Sequence, residues 1–410
     1  MNAERFVIAG GGLAGATAAE TLRNEGFDGT IQIVAGEPHP PYLRPPLSKE
    51  YFTGKAERET IFVQSAEWYA EKRVEVLTGS PVVALDVVAH TVALEGGRSL
   101  AFDRLLLATG SSARRSAARG ADAAGIHYLR TVDDSESLRA SLSKGGQKVV
   151  IVGAGWIGLE VASAARGYGN DVTIMGMEKI PLQGPLGEEI GTVFQEVHEA
   201  NGVTFVLPRS IREFEVQMGH VTGVFTDAGE LLPATIVVVG MGAIPNTQVA
   251  EAAGLSVDNG LVVDEHLAAS LPDVFGAGDI ANAYSPIIKR RMRNEHWANA
   301  IGTGKVAALS MLGKKAVFDE IPYFYTDQFD LGMEYSGYPP LMVGATVVIR
   351  GDKATREFVA FWVADGRVVA GMNLNVWDVN ETVQKLIRAR TVVDPARLAD
   401  TSIALDSLVT

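Results

Sequence analysis

The sequence predicts an α/β protein with two nucleotide-binding βαβ units and a separate C-terminal α+β domain. Two observations support this fold class. A buried-strand pattern is followed by glycines at GxGxxG spacing and an alanine-containing helical segment, once near the amino terminus and once in mid-chain. After Pro322 the pattern changes to clustered aromatic residues and alternating strands, which indicates a different architecture.

The mid-chain motif lies in Lys148–Glu160, which reads KVVIVGAGWIGLE. Val149–Val152 is typical of a short buried strand. Gly153 allows a tight turn, Gly155 lets a pyrophosphate approach the backbone, and Gly158 lets helix and strand pack closely. The helix that begins there offers N–H groups and a positive dipole end to a phosphate.

The same arrangement stands near the amino terminus. The strand Phe6–Ala9 precedes Gly10, Gly12 and Gly15, and an alanine-rich helix follows from Leu13. A single such motif is unspecific in a glycine-rich chain, and both copies could be ordinary glycine turns. Because both have strand and helix in the right places, the sequence predicts two Rossmann-like dinucleotide-binding domains, one for FAD and one for NAD(P)H.

The segment after the first motif carries charges suited to an anionic ligand. Ile31–Ala35 is the next predicted strand, and Glu37 follows about 20 residues after the motif, where an acidic side chain can bind ribose hydroxyls. The alternative is a solvated turn glutamate. Pro38–Lys49 contains five prolines and predicts a stiff, irregular loop. Its Arg44 and Lys49 either face the ligand or are ordinary surface charges.

The remaining elements follow from the same patterns. In the first 310 residues we expect buried strands at Arg104–Gly110, Asp171–Met175 and Ile236–Val239, a connection at Ser111–Gly125, a strand, glycine turn and helix start at Val274–Ala281, and a helix from Glu295 through Lys305. In the C-terminal part we expect strands at Thr346–Arg350, Glu357–Ala364 and Arg367–Leu374, a hairpin turn at Asp365-Gly366, and a helix around Val379–Ala389.

These shifts in pattern predict the domain boundaries. A discontinuous FAD-binding domain is expected at residues 1–112 and 246–320, an NAD(H)-binding domain at 113–245, and the C-terminal α+β domain at 321–410.

Composition excludes several classes of function. The 410 residues include no cysteine, which removes disulfides, thiolate metal sites, protein-ligated iron–sulfur clusters and a redox-active cysteine pair. No histidine pattern indicates a metal site. Redox chemistry would therefore need a bound organic cofactor. The net charge of −13 argues against nucleic-acid binding. With no membrane-spanning apolar run and an early first strand, a cytoplasmic protein without a signal peptide is expected.

Over nearly its whole length the chain resembles the FAD-dependent, NADH-using ferredoxin reductases of glutathione-reductase-type fold, which serve cytochromes P450 and Rieske oxygenases. The shared motifs are GGGLAG at Gly10–Gly15, EPHPPYLRPPLSK at Glu37–Lys49, LLLATG at Leu105–Gly110, LRTVDD at Leu129–Asp134, GAGWIGLE at Gly153–Glu160, VFGAGDIA at Val274–Ala281, EHWANA at Glu295–Ala300 and PYFYTDQFD at Pro322–Asp330.

The resemblance implies an enzyme in which NADH gives a hydride to FAD, and single electrons then pass to a small iron–sulfur ferredoxin. It places Asp279 at the ribityl chain, and Lys49 near flavin N5 in a catalytic pair with Glu160. Taken with the motifs, it gives FAD contacts at Gly10, Gly12, Leu13, Ala14, Gly15, Glu37, Arg44, Lys49, Val82, Ala108, Thr109, Gly110, Arg130, Asp279, Glu295, His296 and Trp297.

The chain departs from the family pattern at two places. Gly176 stands where relatives carry an acidic residue that binds the adenosine ribose, and Glu178 follows two residues later. NADH is still expected, with NADPH as the weaker alternative, because no arginine stands at that strand end. Tyr325 replaces the usual tryptophan, which leaves Trp297 as the main tryptophan candidate near the flavin. The expected NAD contacts are Gly153, Gly155, Trp156, Ile157, Gly158, Glu160, Glu178, Gly240 and Gly242.

The densest basic run of this acidic chain precedes the EHWANA motif. Lys289, Arg290, Arg291 and Arg293 are therefore expected to dock an acidic ferredoxin, although such a run in isolation is more often a solvated cluster. His296 is either a catalytic base or a histidine packed at a helix start, and the second interpretation is favoured.

Two other functions stay open at this stage. One is an NADH oxidase or similar flavoenzyme that reduces oxygen or a small acceptor directly. The other is a binding or signalling flavoprotein of the apoptosis-inducing-factor type. NADH consumption with and without a ferredoxin distinguishes all three.

Overall fold

The structure is a computed structural model that describes residues 4–409. These residues form two compact units. The first contains the described chain up to Pro45, Glu57–Ser112 and Ala243–Glu320. The second contains Pro46–Ala56, Ala113–Gly242 and the described chain from Ile321. The further division of the second unit between 113–245 and 321–410 stays a prediction.

The helices are numbered in chain order. The α-helices are α1 (Leu13–Asn24), α2 (Ala66–Glu71), α3 (Val132–Leu142), α4 (Trp156–Gly167), α5 (Gln183–Leu186), α6 (Glu188–Ala200), α7 (Gln248–Ala252), α8 (Trp297–Met311), α9 (Asn380–Ala389) and α10 (Pro395–Ala399). Short 3₁₀ helices occupy Pro45–Ser48, Arg58–Ile61, Gly278–Ile280, Pro339–Leu341 and Leu405–Leu408. None of the helices in residues 4–409 is long and apolar enough to cross a membrane.

The strands are also numbered in chain order. They are β1 (Arg5–Ala9), β2 (Thr30–Val34), β3 (Val74–Leu77), β4 (Val82–Asp86), β5 (Thr91–Leu94), β6 (Ser99–Ala101), β7 (Arg104–Leu107), β8 (Ser111–Ala113), β9 (Ile126–His127), β10 (Lys148–Val152), β11 (Asp171–Met175), β12 (Val203–Val206), β13 (Ile211–Gln217), β14 (His220–Thr226), β15 (Leu231–Pro233), β16 (Ile236–Val239), β17 (Ala243–Pro245), β18 (Leu261–Val263), β19 (Val274–Gly276), β20 (Ala281–Ser285), β21 (Arg290–Arg293), β22 (Tyr323–Gln328), β23 (Leu331–Gly337), β24 (Thr346–Asp352), β25 (Glu357–Ala364) and β26 (Arg367–Leu374).

The first unit is built on a five-stranded parallel sheet in the order β19–β7–β1–β2–β3. In the central strand, Ile8 lies between Ile33 of β2 and Leu106 of β7. These apolar residues are fully buried, as expected where a parallel sheet is covered on both faces. The predicted strands Phe6–Ala9 and Ile31–Ala35 are confirmed within one residue. Smaller sheets, β4–β5–β6 and β18–β20–β21, complete the unit.

The second unit contains another five-stranded parallel sheet, in the order β12–β11–β10–β16–β9. Its C-terminal part is an antiparallel sheet, β22–β23–β26–β25–β24, against which α9 packs. The predicted hairpin turn is confirmed, because Asp365 and Gly366 both have positive φ, 49° and 70°, as a two-residue type I′ turn requires. This α+β architecture agrees with the predicted fold class.

Three local predictions were wrong. Pro38–Lys49 is not wholly irregular, because Pro45–Ser48 forms a 3₁₀ turn. Proline suits the first positions of a helix, where a backbone N–H would have no partner within the helix. The helix predicted to start after Val274 is a single 3₁₀ turn, and the chain continues as β20, which pairs with β18 and β21. Finally, the helix expected from Glu295 through Lys305 is α8, which begins at Trp297 and ends at Met311. It continues past Lys305 because the first left-handed backbone conformation after it is at Gly313, with φ of 71°.

Two glycines of α4 allow a test of the close packing at the second glycine turn. A Cβ at Gly158 would lie 2.1 Å from the Gly153 carbonyl oxygen, whereas a Cβ at Gly167 would meet no atom within 4 Å. We expect Gly158→Ala to lower the free energy of unfolding by about 1–3 kcal/mol through overpacking. Gly167→Ala should leave it unchanged or raise it slightly, because alanine favours the helix. Urea unfolding of the FAD-loaded protein, followed by circular dichroism, compares the two; equal stabilities would contradict the predicted close approach.

Candidate functional site

The first glycine turn joins β1 to α1 in a conformation that requires glycine. Gly10 has φ of 136°, and a Cβ there would lie 2.0 Å from the Ala108 carbonyl oxygen. A Cβ at Gly15 would lie 2.4 Å from the Gly10 carbonyl oxygen. Gly12, the N-cap of α1, faces open space, and no side chain caps the helix. The turn therefore leaves a helix N-terminus open to an anion.

The second glycine turn repeats this geometry between β10 and α4. Gly153 has φ of 122°, and a Cβ there would lie 2.2 Å from the Gly240 carbonyl oxygen. Gly155 is the N-cap of α4, is exposed, and has no atom within 4 Å of where its Cβ would be. No side chain caps α4. Each unit therefore carries one open helix N-terminus at a glycine turn, the arrangement that accepts a dinucleotide pyrophosphate.

Glu37 follows β2 and is held by two neighbours in the first unit. The Tyr42 hydroxyl donates to Glu37 Oε2, and Arg44 Nη2 donates to Oε1 at 2.6 Å. Burial opposes the charge of Arg44, but Tyr42 and Glu37 outweigh it, so the pKa of the guanidinium is raised. The carboxylate of Glu37 is therefore oriented at the place predicted for the ribose contact.

Asp279 is buried in the 3₁₀ turn Gly278–Ile280, where Ser111 Oγ donates to its Oδ2 at 2.7 Å. The nearby His296 is the N-cap of α8. Burial lowers the pKa of His296 to about 4, even though the Asp279 carboxylate acts to raise it. His296 is therefore neutral at pH 7, which suits a packed histidine. Trp297, the first residue of α8, keeps 38% of its surface exposed.

Most of the other predicted FAD residues belong to the first unit. Thr109 Oγ1 donates to the Asn246 carbonyl at 2.8 Å, and Asn246 Nδ2 donates back to the Thr109 carbonyl at 2.8 Å. Ala108 donates its N–H to Ala9 at 2.8 Å, which holds the small segment against β1. In the first unit lie Leu13, Ala14, Val82, Gly110 and Glu295; Arg130, like Lys49, lies in the second unit.

Lys49 and Glu160 form a buried ion pair in the second unit. The Lys49 ammonium lies 2.5 Å from Glu160 Oε1, and both side chains are more than 90% buried. Ser48 Oγ donates to Glu160 Oε2 at 2.5 Å. The Tyr325 ring lies 5.4 Å from the ammonium, at cation–π distance. Burial raises the pKa of the neighbouring Asp327, and the Lys49 charge opposes that rise. The sequence prediction of this pair therefore has the expected contact.

Sequence reasoning missed three further residues that are linked to Glu160 by a chain of hydrogen bonds. Thr326 Oγ1 donates to Glu160 Oε1 at 2.6 Å, and Gln328 Nε2 donates to Thr326 Oγ1 at 3.1 Å. Gln328 Oε1 in turn lies 2.9 Å from His198 Nε2. The only signal in the sequence was the polar pair, Thr326 and Gln328, spaced two residues apart, which β22 places on one face of the strand.

The strand end expected to bind the adenosine ribose is formed by Gly176 and the residues that follow it. Gly176 is tightly enclosed, since a Cβ there would lie 3.3 Å from Ala154 and from Leu207. Glu178 is exposed, and its Oε1 accepts from the Gly184 N–H at 3.1 Å. Arg209, on the chain after β12, donates its backbone N–H to the Gly176 carbonyl at 2.7 Å, and its guanidinium donates to the Pro208 carbonyl at 2.8 Å.

The other predicted NAD residues lie around the second turn. The Trp156 ring packs against Phe324 and Phe194, with centroids 4.9 and 5.8 Å away, so its indole belongs to the core. Ile157 is 43% exposed beside the helix start. Gly240 donates its N–H to Val152 at 2.8 Å, and Gly242 has φ of 91°.

The basic run forms the turn and second strand of the β20–β21 hairpin. Lys289 and Arg290 are exposed at its tip. Arg291 instead donates through Nη1 to the Val263 and Asn282 carbonyls. Arg293 pairs with Glu295 at 2.5 Å and has only 12% of its side chain exposed. The run therefore contains three exposed cations, Lys289, Arg290 and Arg291. Two of its arginines, Arg291 and Arg293, also hold the hairpin to its own unit.

The residues present fit two dinucleotides. At both helix N-termini, no atom lies within 4 Å of where a Cβ of the N-cap glycine, Gly12 or Gly155, would be. Each N-terminus lies at the carboxyl edge of a parallel sheet, where such ligands bind. Glu37, Arg44 and Asp279 of the first unit would hold FAD. The turn at Gly153–Gly158 would hold the nicotinamide dinucleotide.

Known proteins are similar in sequence to this chain over nearly its whole length. Residues 4–304 match the family described as pyridine nucleotide-disulphide oxidoreductase, and residues 323–409 match the family described as reductase C-terminal. The chain is 37% identical to the ferredoxin–NAD(+) reductase component of the anthranilate 1,2-dioxygenase system of Burkholderia cepacia, with 100% of both chains covered. It is 34% identical to rhodocoxin reductase of Rhodococcus erythropolis, with 98% of this chain and 93% of that protein covered.

A solved structure is also similar to this chain in fold and in sequence. The match is to a chain of the crystal structure of the covalent putidaredoxin reductase–putidaredoxin complex, with a TM-score of 0.95 and 32% identity over 100% of this chain and 99% of that one. These matches confirm the family expected from the motifs. The chain belongs to the pyridine nucleotide-disulphide oxidoreductase family, although a sequence without cysteine gives it no disulphide of its own.

Proposed function

We propose that this protein is an FAD-dependent ferredoxin reductase that oxidises NADH and delivers electrons to a small iron–sulfur ferredoxin serving a P450 or Rieske oxygenase. The observation that carries the proposal is a pair of open dinucleotide turns in a chain without cysteine. Bound FAD would accept electrons from NADH in pairs and release them singly. A cytoplasmic location is part of the proposal, because NADH and ferredoxin must both reach the protein there.

The roles of the FAD-holding residues follow from their contacts. The N-terminus of α1 would face the pyrophosphate, and Glu37, held by Tyr42 and Arg44, would accept hydrogen bonds from ribose hydroxyls. Asp279, held by Ser111, would accept a hydrogen bond from the ribityl chain. In the second unit the N-terminus of α4 would face the NADH pyrophosphate, and Glu178 would reach the adenosine ribose.

The first test is whether a ferredoxin is the acceptor. NADH consumption by the FAD-loaded protein should be slow in air and should rise at least about tenfold when an iron–sulfur ferredoxin and a final acceptor are added. An NADH oxidase would instead consume NADH in air at its full rate without ferredoxin. A binding flavoprotein would show no sustained turnover in either case, so both alternatives give distinct results.

The Lys49–Glu160 pair supports a role beside the flavin, as the family resemblance implies. A buried charge that loses its partner typically costs several kcal/mol, so each member of the pair requires the other. Lys49 would present its ammonium at a position fixed by Glu160, and Glu160 lies on the helix that would bind NADH. In this proposal, the helix that binds NADH also carries the partner of Lys49.

Glu160→Gln removes the negative charge and keeps the shape. In anaerobic stopped flow we expect it to slow flavin reduction by NADH at least about tenfold, and to slow reoxidation by ferredoxin less. Glu189→Gln is the matched control, because Glu189 pairs with Lys353 on the surface, where both side chains are at least 39% exposed. An unchanged reductive rate in Glu160→Gln would contradict the proposed role of the pair.

The docking surface is proposed at the tip of the β20–β21 hairpin. The protein carries a net charge of −13, so an acidic ferredoxin needs a local basic surface to approach it. Lys289 and Arg290 provide exposed charges there, whereas Arg291 and Arg293 hold the hairpin in place. Charge reversal is therefore best confined to the first two residues, which avoids unfolding the hairpin.

We expect Lys289→Glu/Arg290→Glu to lower ferredoxin-dependent turnover several-fold at low ionic strength, and less at high salt, because exposed charges are screened over about 10 Å at moderate salt. NADH-to-ferricyanide activity, which needs no ferredoxin, reports on the flavin site. The control Lys314→Glu/Lys315→Glu makes the same change in net charge elsewhere on the first unit. Equal loss in the control would mean that net charge, rather than this surface, guides the partner.

A further inference from the structure

A directed chain of hydrogen bonds runs through the second unit to the Glu160 carboxylate. His198 Nε2, on α6, faces Gln328 Oε1 at 2.9 Å. Gln328 Nε2 donates to Thr326 Oγ1 at 3.1 Å, and both residues belong to β22. Thr326 Oγ1 donates to Glu160 Oε1 at 2.6 Å. Each group can donate toward the carboxylate, so the dipoles add rather than oppose one another.

Burial makes this chain sensitive to the loss of any member. Thr326 and Gln328 are each 1% exposed, and His198 is fully buried. Burial also lowers the pKa of His198 to about 4, although its hydrogen bond with Gln328 acts to raise it. The imidazole is therefore neutral at pH 7. Its Nδ1 has no hydrogen-bond partner within residues 4–409, so the proton belongs on Nε2, where it can be donated to Gln328.

The Glu160 carboxylate is fixed by three residues from two segments of the chain. Lys49 and Thr326 both reach Oε1, and Ser48 reaches Oε2. Ser48 and Lys49 come from the same short segment and can shift together. Thr326 lies on β22 of the antiparallel sheet, so its hydrogen bond holds the carboxylate from an element that is separate from the Ser48–Lys49 segment.

We propose that Thr326, Gln328 and His198 are positioning residues that fix the Glu160 carboxylate, and through it the Lys49 ammonium, for the reduction of the protein by NADH. The inference rests on the proposed role of the Lys49–Glu160 pair. It assigns to the C-terminal sheet a part in the reductive step, in addition to the packing of its own core.

Threonine at position 326 can be replaced so that hydrogen bonding and packing are separated. Thr326→Val keeps the shape and loses the hydroxyl, whereas Thr326→Ser keeps the hydroxyl and loses a methyl group. If the hydroxyl positions Glu160, valine is the damaging change. If position 326 only fills space, serine is the damaging change.

The measurements are the limiting rate of flavin reduction by NADH in anaerobic stopped flow and the melting temperature of the FAD-loaded protein. We expect Thr326→Val to lower the limiting rate about tenfold and the melting temperature by about 2–4 °C, with little change in the apparent Kd for NADH. Thr326→Ser should stay within about twofold of the wild-type rate. A serine variant as slow or as unstable as the valine variant would overturn the proposal, as would a valine variant with wild-type properties.

Glu160→Gln is measured in the same series to separate two kinds of failure. A slow Glu160→Gln protein beside an unaffected Thr326→Val protein would overturn the positioning chain and leave the proposed pair intact. A Glu160→Gln protein with wild-type rates would overturn the pair itself.

Gln328→Met gives an independent test, because it removes the amide that donates to Thr326. We expect a rate about two- to threefold below wild type and a lower melting temperature. Wild-type values of both quantities in Gln328→Met would overturn the extension of the chain to His198.

Discussion

The buried carboxylate of Glu160 determines how the second unit is assembled. A charge taken out of water is tolerated only when it is paired and its oxygens accept hydrogen bonds, and here Lys49, Ser48 and Thr326 meet that demand. The segment Pro46–Ala56 belongs to this unit, although the chain on either side of it belongs to the other. Further contacts hold it, among them Ser135 to Leu47, Tyr51 to Glu136 and Tyr168 to Phe52.

The same helix connects this carboxylate to the nucleotide turn. α4 begins at Trp156, directly after the open Gly155, and Glu160 lies little more than one turn further along. The N-terminus of α4 and the carboxylate are therefore fixed by one rigid element. Because a dinucleotide at the turn would dock on α4, its position and that of Lys49 would be set together by one helix, without a cysteine.

The glycine turns were predictable from sequence because nothing but glycine fits them. A Cβ at Gly10 or Gly153 would stand about 2 Å from a carbonyl oxygen, so the motif reports a steric requirement. The strands Asp171–Met175 and Glu357–Ala364 were predicted correctly because apolar and β-branched residues dominate them. The hydrogen-bond chain from His198 through Gln328 and Thr326 to Glu160 was not predictable in this way. Thr326 lies 166 residues from Glu160, and His198 lies 130 residues from Gln328, so only the folded chain brings these side chains together.

The central claim is that Lys49 and Glu160 act as one unit in the reductive step, and a double-mutant cycle tests it most directly. The limiting rate of flavin reduction by NADH is measured for wild type, Lys49→Met, Glu160→Gln and the double variant. If the pair acts as a unit, the double variant loses little more than either single variant, with a coupling free energy of about 1–3 kcal/mol. Rate losses that multiply, with no coupling between the two positions, would contradict the account.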